Sequence, residues 1–292
     1  MNIKADMLLE THVELAEGPI WDPDCKLLYW VNIMAKEVHS FDPATGATEL
    51  INVGQEVGTV VPRASGGLML ALSNGFASLD LETKQVEVIH DPEPDLPGNR
   101  FNDGKCDPAG RFWAGTMDFN GKGNVGSLYC MDTDLSVRKA FGDVAISNGI
   151  VWSLDRTTMY FIDSMSRVVR AYDYDFDSGE VSNPRTAVEV DEAWGIPDGM
   201  AIDEQGRLWV AVFYGSRVAC FDPKTGKAVQ TIDVPARQVT ACAFGGEDLE
   251  TLYITTATEG MTADEIKQDP LAGCIFAARP GCRGTETFKF GG

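Results

Sequence analysis

One order of short segments recurs six times along this chain, and that recurrence limits its fold more than any other feature. VHSFDPATG ends at Gly46 and VACFDPKTG at Gly226, with ASLDLETKQ, SLYCMDTDL and RAYDYDFDSG between them and CIFAARPG after them. Each is an apolar run entering a polar turn, often through Asp, as a short strand does. Ahead of them, in step, lie KLLYWVNI, GLMLALSNG, RFWAGTM, TMYFIDSM, RLWVAVFYG and TLYITTA. Ahead of those lie GPIWD, GTVVPRA, GKCD, GIVWSLD, GMAID and TACAFGG, and a weaker fourth set reads ATELINV, QVEVIHD, TAVEVD and AVQTIDV. Units of about 42 to 50 residues with four strands each fit propeller blades. A single blade cannot cover both of its apolar faces, so neighbours stack and the ring closes.

The pattern therefore predicts an all-β chain, a six-bladed β-propeller of four-stranded antiparallel blades around a central channel, with residues 1–292 as one domain. The leading segment IKADMLL has no blade of its own and is expected to complete the last one, removing an open edge. Helix is scarce. MTADEIKQ (Met261–Gln268) is one short candidate, with Thr262 and Glu265 spaced as a capping box.

A second regularity sits inside the first. LAEGPIWD, FNDGKCD, ISNGIVWSLD and GIPDGMAID each place a carboxylate or amide, then Gly, at the start of a first strand. First strands line the channel, so Glu17, Asp103, Asn148 and Asp198 are predicted to face one another at one end of the axis. Units two and six carry VGTVV and VTACA there, which makes the polar ring lopsided. Converging carboxylates repel one another unless a cation sits among them. An all-oxygen set suits calcium, magnesium or manganese better than a structural zinc. The three histidines, His12, His39 and His90, lie out of this phase. No G-x-S-x-G elbow and no G-x-x-x-x-G-K-[ST] phosphate loop offers a rival chemistry.

The formal net charge of −20 argues against nucleic acid and anionic membrane as partners. No stretch approaches the roughly 18 apolar residues of a membrane span, and MNIKADMLLETHVEL has no apolar core of signal-peptide length, so a cytoplasmic location is expected. The seven cysteines are scattered and form no C-x-x-C pair, which reads as reduced, buried thiols.

Taken together, ELAEGPIWD, RFNDGKCDPAGRFWAGTM, SNGIVWSLDRTTMYFIDS, PDGMAIDEQGRLWVA and LYITTA resemble the gluconolactonase/regucalcin family, also called the senescence-marker-protein family. The resemblance implies a six-bladed propeller that holds one divalent metal and hydrolyses sugar-acid lactones to the free aldonic acids. It places the metal ligands on Glu17, Asn148 and Asp198, and substrate contacts on Arg100 and Asn102. Family members often carry an acidic substrate contact shortly after GTM; here Asp118 or Asn120 occupies that stretch. The implied cofactor is one divalent ion, calcium first, with manganese, magnesium, zinc and ferrous iron as the other candidates.

A lactone is an ester, so its opening builds charge on the carbonyl oxygen, which a Lewis acid stabilises. Asp198 is the first choice for general base and Asp103 the second. The partner is then a small-molecule sugar lactone. Two alternatives stay open at this point: a metal-dependent phosphotriester hydrolase on the same scaffold, and a non-enzymatic calcium-binding regulatory protein.

Overall fold

Burial falls steadily from the channel outward, and this gradient decides which segment takes which place in a blade. In the first blade Ala16–Asp22 is buried at every position, Leu27–Asn32 at all but its first, Glu37–Phe41 only at Val38 and Phe41, and Thr48–Asn52 nowhere. The computed structural model describes residues 2–292 and arranges them as a six-bladed β-propeller. The other first strands are Val57–Pro62, Asn99–Cys106, Ser147–Trp152, Ile196–Ile202 and Val239–Gly245. Each packs against the next, and the sixth packs against the first, so the ring is closed.

The N-terminal segment serves two blades. Asp6–Leu9 pairs antiparallel with Ile275–Ala278 as the outer strand of blade six, while Asn2–Lys4 pairs parallel with Thr231–Asp233 and adds a fifth strand to blade five. The short helix Ala263–Gln268 is capped by Thr262 with the full capping box to Glu265. All seven cysteines are free thiols, and every one except Cys25 is buried.

Two devices fix the inner strands. At the far end of the channel DPAGRFW and DEQGRLW fold alike. Asp107 accepts hydrogen bonds from Arg111 N (2.9 Å) and Trp113 Nε1 (3.0 Å), and Asp203 accepts from Arg207 N (3.0 Å) and Trp209 Nε1 (2.9 Å). One buried carboxylate thus satisfies a tight turn and the indole of the following strand. The C-terminal segment then crosses that end of the channel. Thr285–Phe288 close a small cavity of about 80 Å³ together with Trp21, Trp152 and Phe244, and Phe290 is fully buried beyond them.

The second device explains the polar-Gly step. It is a β-bulge rather than a turn: pairing between first and second strands shifts register at Glu17/Ile20, Val57/Thr59, Phe101/Gly104, Ser147/Ile150, Pro197/Met200 and Val239/Ala241. Bulges of this kind bend a strand and re-aim a side chain. Glycine follows because neighbouring first strands meet there. A Cβ on Gly199 would stand 2.4 Å from Ala241 Cβ, and one on Gly149 would stand 2.8 Å from Met200 N. Gly199→Ala is therefore expected to lower unfolding free energy by about 1–3 kcal/mol through overpacking. Urea unfolding of the variant beside the parent checks this; an unchanged midpoint would mean that the ring tolerates wider spacing.

Candidate active site

The bulges aim Glu17, Asn148 and Asp198 into one cavity of about 360 Å³ at the near end of the channel. All three side chains are more than nine-tenths buried. Glu17 Oε2 accepts a hydrogen bond from the next residue's N–H, Gly18, at 2.9 Å. Asn148 Nδ2 donates to Ser164 Oγ at 2.9 Å, which fixes the amide so that its oxygen is the free end. Asn148 Oδ1 and Asp198 Oδ1 are both buried without a hydrogen-bond partner.

These carboxyl groups do not ionise as ordinary ones do. Burial, followed by the charge of Asp103, pushes Glu17 up to about 8, outweighing the Gly18 N–H and Arg100. Burial first, then Glu17 and Asp103, holds Asp198 well above the usual carboxylate range. Burial also raises Asp103, although Lys105 and the Gly104 N–H pull it back. Removing a charge from water costs free energy, and crowding like charges adds to that cost. A cation among them reverses both effects.

The donor set fits a hard divalent ion. It offers two carboxylates and an amide oxygen, no nitrogen or sulfur, and two acceptor oxygens that nothing in the protein satisfies. Among the described residues no three His, Cys, Asp or Glu side chains form such a group on their own. A three-oxygen set at this cavity therefore includes the Asn148 amide.

Arg100 and Asn102 line the same cavity. Arg100 Nη1 donates to Asn102 Oδ1 (2.7 Å) and to the Phe101 carbonyl (3.0 Å), while its Nε is buried and unpaired. Asn102 Nδ2 donates to the Ser147 carbonyl (2.8 Å), tying blade three to blade four. Its side chain chiefly positions Arg100 and retains one N–H for a ligand. The Arg100 guanidinium also lies over the Phe119 ring, 5.8 Å from its centre.

Two sequence candidates sit elsewhere. Asp103 lies further along the channel beside Gly18, Thr59, Lys105 and Ala241, and is not among the residues lining the cavity. Its Oδ1 accepts from Gly104 N at 2.7 Å. Of the pair after GTM, Asn120 lines the cavity and Asp118 does not. Asp118 Oδ1 instead accepts from Asn120 N (3.0 Å) and Lys122 N (3.1 Å), which shapes the loop that delivers Asn120. Trp194 packs on Phe221 and under Arg217, away from the cavity.

Two polar lining residues escaped sequence reasoning. Ser164 opens a short 3-10 turn, and DSMS carries no sign of a site. Glu259 follows the second strand of blade six in ATEG, held through its carbonyl by Gln238 Nε2 at 2.8 Å. It belongs to a loop, where the repeat carries no information. Burial raises its carboxyl and Arg100 opposes that rise.

The sequence pattern of the SMP-30/Gluconolactonase/LRE-like region matches residues 15–258. Regucalcin of Danio rerio is 41% identical, with the alignment covering 100% of this chain and 99% of that protein. YvrE of Bacillus subtilis (strain 168), which carries a sugar lactone lactonase name, is 42% identical over 98% of this chain and 99% of its own length. A crystal structure from Agrobacterium tumefaciens, described as a calcium-binding protein, regucalcin, superposes with a TM-score of 0.95 at 28% identity, covering 99% of each chain.

The raised carboxyl groups have a consequence for stability. A group whose folded value exceeds its unfolded one stabilises the fold below the unfolded value, and that contribution is lost as pH rises through the folded one. For Glu17 the window runs from 4.5 to about 8, and Asp198 and Asp103 act in the same direction. With chelator present, the melting temperature is expected to fall across this window. Added calcium is expected to restore it, by an increment that grows with pH because fewer protons must be displaced. Thermal unfolding with chelator and with calcium, at several pH values, tests this; an increment independent of pH would contradict the protonated state described here.

Proposed function

We propose that this chain, which belongs to the SMP-30/Gluconolactonase/LRE-like family, hydrolyses the lactone of a sugar acid to the free aldonic acid in a metal-dependent reaction. One observation carries the reading. Asn148 and Asp198 bring unsatisfied, buried oxygens, and Glu17 a buried carboxyl, to a cavity whose walls also hold Arg100, Asn102, Asn120 and Glu259. Relatives bearing lactonase and regucalcin names, at 42% and 41% identity, support it.

Glu17, Asn148 and Asp198 would hold one divalent ion, calcium first; when bound it supplies Lewis-acid stabilisation of the charge that develops on the lactone carbonyl oxygen. Asp198 acts as the base. In its ionised form, the carboxylate oxygen that does not face the ion takes a proton from water as that water's oxygen attacks the carbonyl carbon. The ring C–O bond breaks, and the proton held on Asp198 passes to the ring oxygen, which leaves as a hydroxyl and returns the carboxylate to its ionised form. Asp103, off the cavity wall, acts through its charge on Glu17 and Asp198 rather than by contact.

Arg100 and Asn120, which line the cavity, meet the substrate's hydroxyl and ring oxygens, and Asn102 orients Arg100. Glu259 accepts from hydroxyl groups at the rim. A protein that only buffers calcium has no use for a buried arginine in the wall, because Arg100 weakens cation binding at Glu17. The phosphotriesterase alternative shares the metal site, so substrate choice separates the two.

Asp198→Asn is expected to lower kcat on gluconolactone by at least about 100-fold, the scale of a lost general base. Glu17→Ala is expected to abolish turnover while circular dichroism still reports a β protein. Acid release after chelation and re-addition of calcium, manganese, magnesium, zinc or ferrous iron, on a lactone and a phosphotriester, makes the measurement. Full activity in either variant would remove this mechanism, and phosphotriester hydrolysis alone would replace the substrate.

A further inference from the structure

A second polar cavity, of about 240 Å³, adjoins the first and shares Arg100 with it. Its walls come from Gln55 and Ser73 of blade two, from Glu93, and from Asn99 on the first strand of blade three. One side is the loop DPEPDLP, residues 91–97, which links blades two and three. Three prolines, Pro92, Pro94 and Pro97, fix φ along it, so little of its freedom is left to lose when a ligand binds.

Glu93 is held in position by three donors. Asn99 Nδ2 donates to its Oε2 at 2.8 Å, while Thr116 Oγ1 and the Tyr129 hydroxyl donate to Oε1, each at 2.9 Å. Oε2 keeps acceptor capacity. Arg100, nine-tenths buried between the two cavities, has an Nε with no partner. A buried guanidinium N–H left unpaired costs free energy that a ligand acceptor would recover.

We propose that this pocket receives a second, neutral sugar ring, so that the enzyme accepts lactones of disaccharide aldonic acids as well as of single sugars. The inference rests on the lactone reading above. The lactone ring occupies the cavity of Glu17, Asn148 and Asp198, and the glycosyl substituent passes Arg100 into the pocket beside Glu93. Asp91 and Glu93 give the pocket two carboxylates, and Arg100 already faces the charges of Glu259, Glu17 and Glu56. An anionic unit such as a sugar phosphate is repelled, whereas hydroxyl groups find both acceptors and donors.

The test measures kcat/KM for gluconolactone and for cellobionolactone, with calcium supplied and the spontaneous rate subtracted. Asn74, at the exposed turn on the pocket's rim, is replaced in Asn74→Trp to fill the pocket; Glu93→Gln removes the charge and keeps the shape. The parent is expected to favour cellobionolactone through a lower KM. Asn74→Trp is expected to cut kcat/KM for cellobionolactone about tenfold, the loss of one or two hydrogen bonds, with gluconolactone kinetics unchanged as the sign of an intact fold. Glu93→Gln is expected to act in the same direction severalfold. Hydrolysis of gluconolactone with no advantage for cellobionolactone, or an equal effect of both variants on both substrates, overturns the pocket assignment alone. Turnover of neither lactone overturns the lactone reading, and this inference with it.

Discussion

The close approach of six first strands around a narrow axis is the constraint on which the rest of this structure depends. Each of those strands is bulged at the same level, and at three of the bulges, at Gly58, Gly149 and Gly199, a glycine Cβ would collide with the neighbouring blade. The bulge turns the preceding side chain toward the axis, and the missing Cβ lets the next strand come near enough to share a cavity with it. Ring closure and site assembly are thus one geometric event. Opening the ring at any blade would scatter Glu17, Asn148 and Asp198, which the chain separates by more than a hundred residues from first to last.

Bringing acids together in this way works against the fold. Buried carboxylates in mutual view are forced toward protonation, and the unpaired oxygens of Asn148 and Asp198 forgo hydrogen bonds that water would give them. Stability comes from elsewhere, in the apolar stacking of blade faces and in turns such as Asp107–Trp113 and Asp203–Trp209. Such local cost, borne by a rigid surround, is what a preformed site for a charged ligand requires. It also explains why the site sits on strands rather than on loops, since strands locked by neighbours on both sides cannot relax to separate the charges.

How much of this could be read from the sequence follows the same division. The blades, their number and the phase of Glu17, Asp103, Asn148 and Asp198 were legible because a repeat is a periodic signal, and one misplaced unit would have broken it. The meaning of the glycine was only half legible: a polar residue followed by Gly suggests a turn, and the bulge emerges only when the neighbouring blade is present. That Asp103 stands away from the cavity could not be read, because all four strands share one phase and differ in depth by local bulge geometry. The choice between Asp118 and Asn120 depends on a loop whose backbone is shaped by Asp118 itself. Ser164, Glu259 and the proline-rich wall at 91–97 lie between strands, where nothing repeats.

The two blades without an acid make sense in terms of charge. Where the ring could carry further carboxylates, blade two has Val57 and blade six has Val239; Thr240 follows in the glycine position, and its hydroxyl bonds the Ala16 carbonyl at 2.6 Å and joins blade six to blade one. The channel and its mouth then hold the carboxylates of Glu17, Asp103, Asp198 and Glu259, against the cations of Arg100 and Lys105. As formal charges these leave two negatives in excess, the charge that the proposed divalent ion would neutralise. Acids at Val57 and Val239 would double that excess, in a space where charge is already suppressed by burial. The lopsidedness of the ring therefore limits the charge buried at its axis, while Thr240 keeps the first and last blades joined.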